Sequence, residues 1–295
     1  MHFTPINSDM TDQLATVGQK MLSVALTHGD PQSPVNQAAS HHLGTLGLCV
    51  RSQIALHAAD SLNVDAQSAL AMATCCELLH NASLIHDDLQ DRDHYRRGEK
   101  AVWALFGDDV AVCAGDLLLS SAYAALAEVT DVAAIPRLIA QTHAAVAQTI
   151  HGQASLASPP QANFDRLAAY QAMAAAKSGP LLGLSFGLIF NYCKQPNLIE
   201  LSTRAVHAFS IAYQIADDLE DLDADERTPL GAAANIVIVF EIAEYMDRIA
   251  ARARAVQIAL SKLAEVLAFT NDFPMGSAAI LRVLVARLNH KLIGY

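Results

Sequence analysis

Two short acidic stretches carry the chemistry this chain is equipped for. HDDLQD holds Asp87, Asp88 and Asp91, and QIADDLED holds Gln214, Asp217, Asp218, Glu220 and Asp221. Residues three and four apart share a helix face, so Asp87 projects with Asp91 while Asp88 flanks it, and Asp217, Asp218 and Asp221 repeat the arrangement. Like charges at that spacing repel and weaken an isolated helix. A sequence that does this twice, each time at the end of an apolar run, points to a cation that offsets the repulsion. Carboxylates without His or Cys suit a hard ion, and magnesium in particular keeps waters and shares phosphate oxygens with its ligands. Two such clusters facing each other predict a diphosphate held between them through magnesium. The chemistry expected there is neutralisation of the diphosphate as a leaving group and cleavage of an allylic C–O bond. Apolar helices would then shield the delocalised cation that forms.

The elements that must position these groups are helices. Segments 64–91 and 164–190 carry apolar residues at three- and four-residue spacing, and several segments are apolar on nearly all sides, as helices surrounded by other helices are. Short breaks are expected around 30–34, 95–98, 158–163, 194–197, 223–231 and 271–276. The Val-rich run at 235–240 would suit a strand taken alone, but the helical pattern of 241–267 behind it favours continuation into a helix. The expectation is an all-α fold with one domain over 1–295.

Composition agrees with helices packed in layers: 53% of residues are hydrophobic and 17% charged. A net charge of −11 argues against a nucleic-acid partner, whose phosphates call for a basic surface. Of the five cysteines, Cys49, Cys75, Cys76, Cys113 and Cys193, most lie among apolar neighbours and read as buried thiols. The N-terminus, MHFTPINSDM, lacks the pattern of a signal peptide. The longest uncharged stretch, 178–193, reads as a core helix and not a transmembrane segment. A soluble, cytoplasmic protein is expected.

The stretch ELLHNASLIHDDLQDRDHYRRGEKAVWALFGDDVAVCAGDLLLSSAY resembles the helix–DDxxD–loop–RRG–helix segment of the trans-isoprenyl (polyprenyl) diphosphate synthase family. HGQASLA, YQAMAAAKSG and the second DDxxD follow in that family's order, and the resemblance covers roughly 43–225. It implies an isoprenoid-synthase bundle of antiparallel helices around a deep central cavity, usually in a homodimer. It further implies three magnesium ions ligated by Asp87, Asp88, Asp91, Asp217, Asp218 and Asp221. Arg96, Lys177 and Gln214 would contact an allylic prenyl diphosphate, with Ser178 where the family usually has Thr. His80, Arg97 and Arg51 would bind the diphosphate of isopentenyl diphosphate. The positions four and five residues before the first DDxxD, which floor the family's cavity when aromatic, are Ser83 and Ala82. These small side chains imply products of about twenty carbons or more, with Tyr123 as a deeper floor. The residues support part of this independently. Arg96 and Arg97 sit in a Gly-terminated loop just after the acidic cluster, and Lys177 is a single cation in an Ala-rich helix. His80 and His86, six apart, are poorly spaced for a shared metal.

Two departures bear on the second substrate. The family's basic GGKRxRP loop aligns with LGLCVRS, so Leu48 and Cys49 stand at the Lys-Arg positions and Arg51 alone remains. Each charge-assisted hydrogen bond to phosphate that the loop forgoes is worth roughly 1.5–3 kcal/mol. After Asp221 the family has a Lys-bearing, Gly-rich segment, whereas this chain reads LDADERTPLGAAANIVIVF with Arg227 as its one cation. Three readings therefore stand side by side. They are a chain-elongating prenyltransferase, a terpene synthase (lyase) of the same fold that needs no isopentenyl diphosphate, and a non-catalytic prenyl-diphosphate-binding subunit.

Overall fold

A computed structural model describes residues 8–45, 47–155 and 166–295. Helices dominate it. The expected breaks at 30–34 and 194–197 fall at junctions between helices, and 271–276 ends in a single 3-10 turn (Pro274–Gly276). The segment 223–231, expected as a break, instead holds most of one short helix (Leu222–Asp225) and the start of another (Pro229–Ala234); the break at 158–163 and the end of HGQASLA lie outside the described residues. The chain divides into two compact units, Met1–His143 with Leu184–Lys194, and Ala144–Gly183 with Gln195–Tyr295.

The first unit contains α1 (Ser8–Leu26), α2 (Pro34–Gly44), α3 (Val50–Ser61), α4 (Ala66–Asp91), α5 (Val102–Phe106), α6 (Asp108–Leu126) and the start of α7 (Ile135–Ser155). Local chemistry sets their ends. Ser33 accepts from the Asn36 N–H with Pro34 in the first turn of α2, and Asp65 accepts from the Ser68 N–H to start α4. Helix α4 is buried on nearly every side from Ala71 to Leu79, as its all-round apolar character predicts. It packs on α6 in antiparallel sense, with His86 over Gly115 near one end and Cys75 beside Tyr123 further down. A Cβ at Gly115 would lie 2.2 Å from His86 Nε2, so glycine there makes room for the imidazole. Arg92, in the left-handed region, ends α4. A two-stranded hairpin follows, β1 (Tyr95–Arg96) against β2 (Glu99–Lys100), and Arg97 (φ 54°) and Gly98 (φ 86°) both take the positive φ of a tight hairpin turn.

The second unit holds the end of α7, most of α8 (Arg166–Tyr192), α9 (Pro196–Glu220), the short α10 (Leu222–Asp225) and α11 (Pro229–Ala234), then α12 (Ile236–Ala243), α13 (Arg248–Thr270) and α14 (Ala279–Ile293). Helix α13 packs along α9, and Gly152 of α7 brings α7 against Ala176 of α8. The Val-rich run is helical, as expected, but it does not continue into the next helix: α12 stops at Ala243, and Asp247 caps α13 afresh by accepting from the Ala250 N–H.

Helices α6 and α8 are long and apolar enough to cross a membrane by length and composition, but 67% of the α8 window is buried within the protein, as in a core helix. All five cysteines are free thiols. Cys49, Cys75 and Cys76 are buried as expected, Cys193 is half-buried, and Cys113 is exposed because it sits on the outer face of α6.

Candidate active site

The first acidic cluster is the last turn of α4. Asp87 is half-buried, Asp91 exposed, and Asp88 only 1% exposed. The hairpin folds Arg96 back onto this turn, where its Nε donates to Asp88 Oδ1 at 2.8 Å and its Nη2 reaches the same oxygen. Asp88 Oδ2 is buried and has no hydrogen-bond partner. Burial pushes the Asp88 carboxyl above its ordinary value, with Arg96 opposing.

The second cluster ends α9. Asp218 is 5% exposed and both of its oxygens are occupied by protein donors. Gln214 Nε2 donates to Oδ1 at 2.9 Å, while the Tyr170 hydroxyl (2.9 Å) and the Ile236 N–H (2.8 Å) donate to Oδ2. Asn235 starts α12 and ties it to the same segment, its Nδ2 donating to the Asp218 carbonyl and to Asp225 Oδ2. Burial pushes Asp217 up to about 7, with Lys291 opposing and Asp221 adding to the shift. Burial likewise carries Asp218 up to about 6 against its three hydrogen bonds, and burial and Asp225 raise Asp221.

These features fit a hard cation. Asp88 presents an orphaned buried carboxylate oxygen, and Asp217 is a desolvated carboxylate without enough positive charge beside it. Among the described residues no three His, Cys, Asp or Glu side chains converge to enclose an ion. An ion bound to either cluster would draw further ligands from water and from phosphate oxygens, which is how magnesium binds.

The basic residues separate into groups. Arg97 Nη1 donates to the Thr45 carbonyl at 2.7 Å, and its guanidinium lies over Gly47, where a Cβ would come within 2.8 Å. Arg51 and Arg97 both act on His80, which burial, aided by their charges, holds neutral with Nδ1 unpartnered. His80, Arg51 and Arg97 thus lie in one neighbourhood of the first unit. Leu46 lies outside the described residues, but its neighbours show the consequence of the altered loop. Leu48 is 36% exposed, and Cys49 is a buried thiol in the left-handed region, pushed by burial up to about 12 and therefore uncharged. Lys177 and Ser178 lie half-buried on α8. Ala82 is 2% exposed, whereas Ser83 is half-buried with its hydroxyl donating to the His80 carbonyl; Tyr123 is half-buried on α6.

Three residues beside the two clusters received no role from the sequence. Asn235 carried a signal, an Asn directly before an apolar run. Tyr170 and Lys291 act through tertiary contacts that no local pattern encodes.

Comparison with known proteins places the chain in a family. A (2E,6E)-farnesyl diphosphate synthase of Mycobacterium tuberculosis (strain ATCC 25618 / H37Rv) is 32% identical over 220 residues, covering 73% of this chain and 58% of the relative. A geranylgeranyl pyrophosphate synthase of Geoglobus acetivorans is 30% identical over 220 residues, covering 74% of this chain and 68% of the relative. The chain thus spans less than two thirds of the length of the mycobacterial relative. The crystal structure of a geranylgeranyl pyrophosphate synthetase from Pyrococcus horikoshii Ot3 superposes with a TM-score of 0.78 at 21% identity, covering 94% of this chain and 96% of that one. At that identity the likeness shows the all-helical fold. The polyprenyl synthetase family model matches residues 32–233, which include both acidic clusters, the Arg96 hairpin and Lys177. This chain belongs to the polyprenyl synthetase family.

Proposed function

We propose that the protein is a magnesium-dependent prenyltransferase that ionises an allylic prenyl diphosphate and condenses it with isopentenyl diphosphate into a longer all-trans prenyl diphosphate. One observation carries the reading: at the end of α4 a buried oxygen of Asp88 has no partner, and at the end of α9 burial and neighbouring carboxylates raise Asp217 and Asp221. The farnesyl and geranylgeranyl diphosphate synthases among the relatives support the same reaction.

In this reading Asp87, Asp88 through its unpartnered Oδ2, Asp91, Asp217 and Asp221 would offer oxygens to the metal, and water and phosphate would complete its shell. Asp218, which the resemblance also implies as a ligand, has both oxygens taken by Tyr170, Gln214 and the Ile236 N–H and holds its cluster in place, while Arg96 steadies Asp88. Magnesium held there neutralises the diphosphate and makes it a leaving group. Arg96 and Lys177 bind the allylic diphosphate, with Gln214 beside them, and His80, Arg97 and Arg51 receive the second diphosphate. Neutral His80 serves as a hydrogen-bond partner and not as a charge. We further read 1–295 as a single domain, since the division points at His143 and Gly183 fall inside α7 and α8. A homodimer, a cytoplasmic location and three magnesium ions complete the proposal, and the small Ala82 and Ser83 support products of about twenty carbons or more.

The terpene-synthase reading has one observation in its favour: uncharged Cys49 and Leu48 leave the second-substrate loop poor in cations. Incubation with magnesium and farnesyl diphosphate, with and without isopentenyl diphosphate, separates the readings. A longer diphosphate supports condensation. A hydrocarbon or alcohol formed without isopentenyl diphosphate supports the lyase, and no turnover of any allylic diphosphate leaves a binding subunit.

A further inference from the structure

The C-terminal helix delivers a cation to the second acidic cluster. Between Asp217 and Glu226 the chain carries Asp217, Asp218, Glu220, Asp221, Asp223, Asp225 and Glu226, and from there to α12 Arg227 is the one cation. Arg248 pairs with the last of these, Glu226, and with Glu241 at 2.7 Å. Helix α14 packs on α9, and its Lys291 Nζ lies 2.6 Å from Glu220 Oε2 with the lysine side chain 21% exposed. Lys291 is also the charge that most opposes the upward pull of burial on Asp217. Its partner Glu220 is 57% exposed, so the ion pair is open to water and easily exchanged.

We propose that Lys291 is a diphosphate-binding residue, which leaves Glu220 and donates to phosphate oxygens when a magnesium-bound diphosphate occupies the Asp217 end of α9. A polyphosphate carries more negative charge than one carboxylate and is the stronger partner for an ammonium. The assignment gives a role to the segment after Asp221, where this chain lacks a lysine: the missing cation comes from the far end of the sequence. It rests on the prenyl-diphosphate reading of the site.

The test is calorimetric titration of the full chain with inorganic pyrophosphate in magnesium, alongside a thermal melt of each variant. Lys291→Met should weaken pyrophosphate about tenfold, the worth of one charge-assisted hydrogen bond. Lys291→Arg should recover most of that affinity, and Glu220→Gln, which removes the competing carboxylate, should bind at least as tightly as wild type. Lys262→Met, at a pair confined to α13, is the control and should bind as wild type does. Wild-type affinity in Lys291→Met overturns the Lys291 assignment alone. So does equal weakening in the Met and Arg variants together with lower melting temperatures, the pattern of a structural lysine. If wild type itself binds no pyrophosphate with magnesium, the reading of the site falls and the assignment falls with it.

Discussion

Gly152 makes the packing beneath Lys177 measurable. A Cβ added there would lie 2.8 Å from the Ala176 carbonyl oxygen and 2.9 Å from the Ala176 Cβ. Those atoms belong to the backbone and first carbon of α8 and cannot swing aside as a side-chain tip can. Gly→Ala within a helix ordinarily gains about 0.5–1 kcal/mol. Overpacking of this kind costs about 1–3 kcal/mol, so Gly152→Ala should be destabilising by up to about 2 kcal/mol. For a chain of this size that lowers Tm by up to about 3 °C. Gly44→Ala is the matched control: nothing lies within 4 Å of the added methyl, so the same change should leave stability equal or raise it by about 0.5 kcal/mol. Because Ala176 precedes Lys177, displacing α8 should also raise KM for the allylic diphosphate in Gly152→Ala and leave it unchanged in Gly44→Ala. Circular-dichroism melts and initial rates read both effects. A Gly152→Ala protein as stable as wild type, with unchanged KM, would refute the close approach and the positioning role drawn from it.

Other consequences follow from the same geometry. Asp87→Ala and Asp217→Ala should each lower kcat by several orders of magnitude, on the order of 10³-fold or more, measured as product formed per minute in saturating magnesium; near-normal rates would remove the aspartates from the reaction. His42 is held down to about 4, first by burial and then by Arg97. Its folded value lies below the unfolded 6.5, so the stability it contributes is present above pH 6.5 and lost as pH falls toward 4, on the order of 3 kcal/mol in all. Asp217 and Asp218 shift the other way and oppose this trend, so the comparison with His42→Gln isolates the histidine. In urea melts the variant should lose less stability than wild type between pH 7 and 4, and parallel profiles would contradict the assignment. Ser83→Phe should shorten the product by at least one isoprene unit in a chromatographic assay, whereas Ala82→Phe, at a 2% exposed position, should chiefly lower Tm; unchanged product length in Ser83→Phe would exclude this face of α4 as the floor.

The long helices were legible because their periodicity is local. Segments 64–91 and 164–190 correspond to Ala66–Asp91 and Arg166–Tyr192, and both acidic clusters fall at helix ends as their position after apolar runs implied. The break at 244–247 was not legible, since apolar spacing continues through it. What ends α12 is Tyr245 in the left-handed region and the fresh cap at Asp247. The division of labour among the aspartates was hidden for a different reason. Asp217 and Asp218 are identical letters, and only the donors from Tyr170 and Ile236, brought in from α8 and α12, distinguish the tethered one. Lys291 lies 71 residues from Glu220, beyond the reach of any motif.

A crystal structure with magnesium and a thiolo analogue of farnesyl diphosphate, whose bridging sulfur resists cleavage, tests the central claim most directly. The account predicts metal ions that take oxygens from Asp87, Asp91 and Asp217 and from the diphosphate, with Arg96 and Lys177 on phosphate oxygens. Aspartate clusters directed into solvent, with the diphosphate bound elsewhere or free of metal, would contradict it.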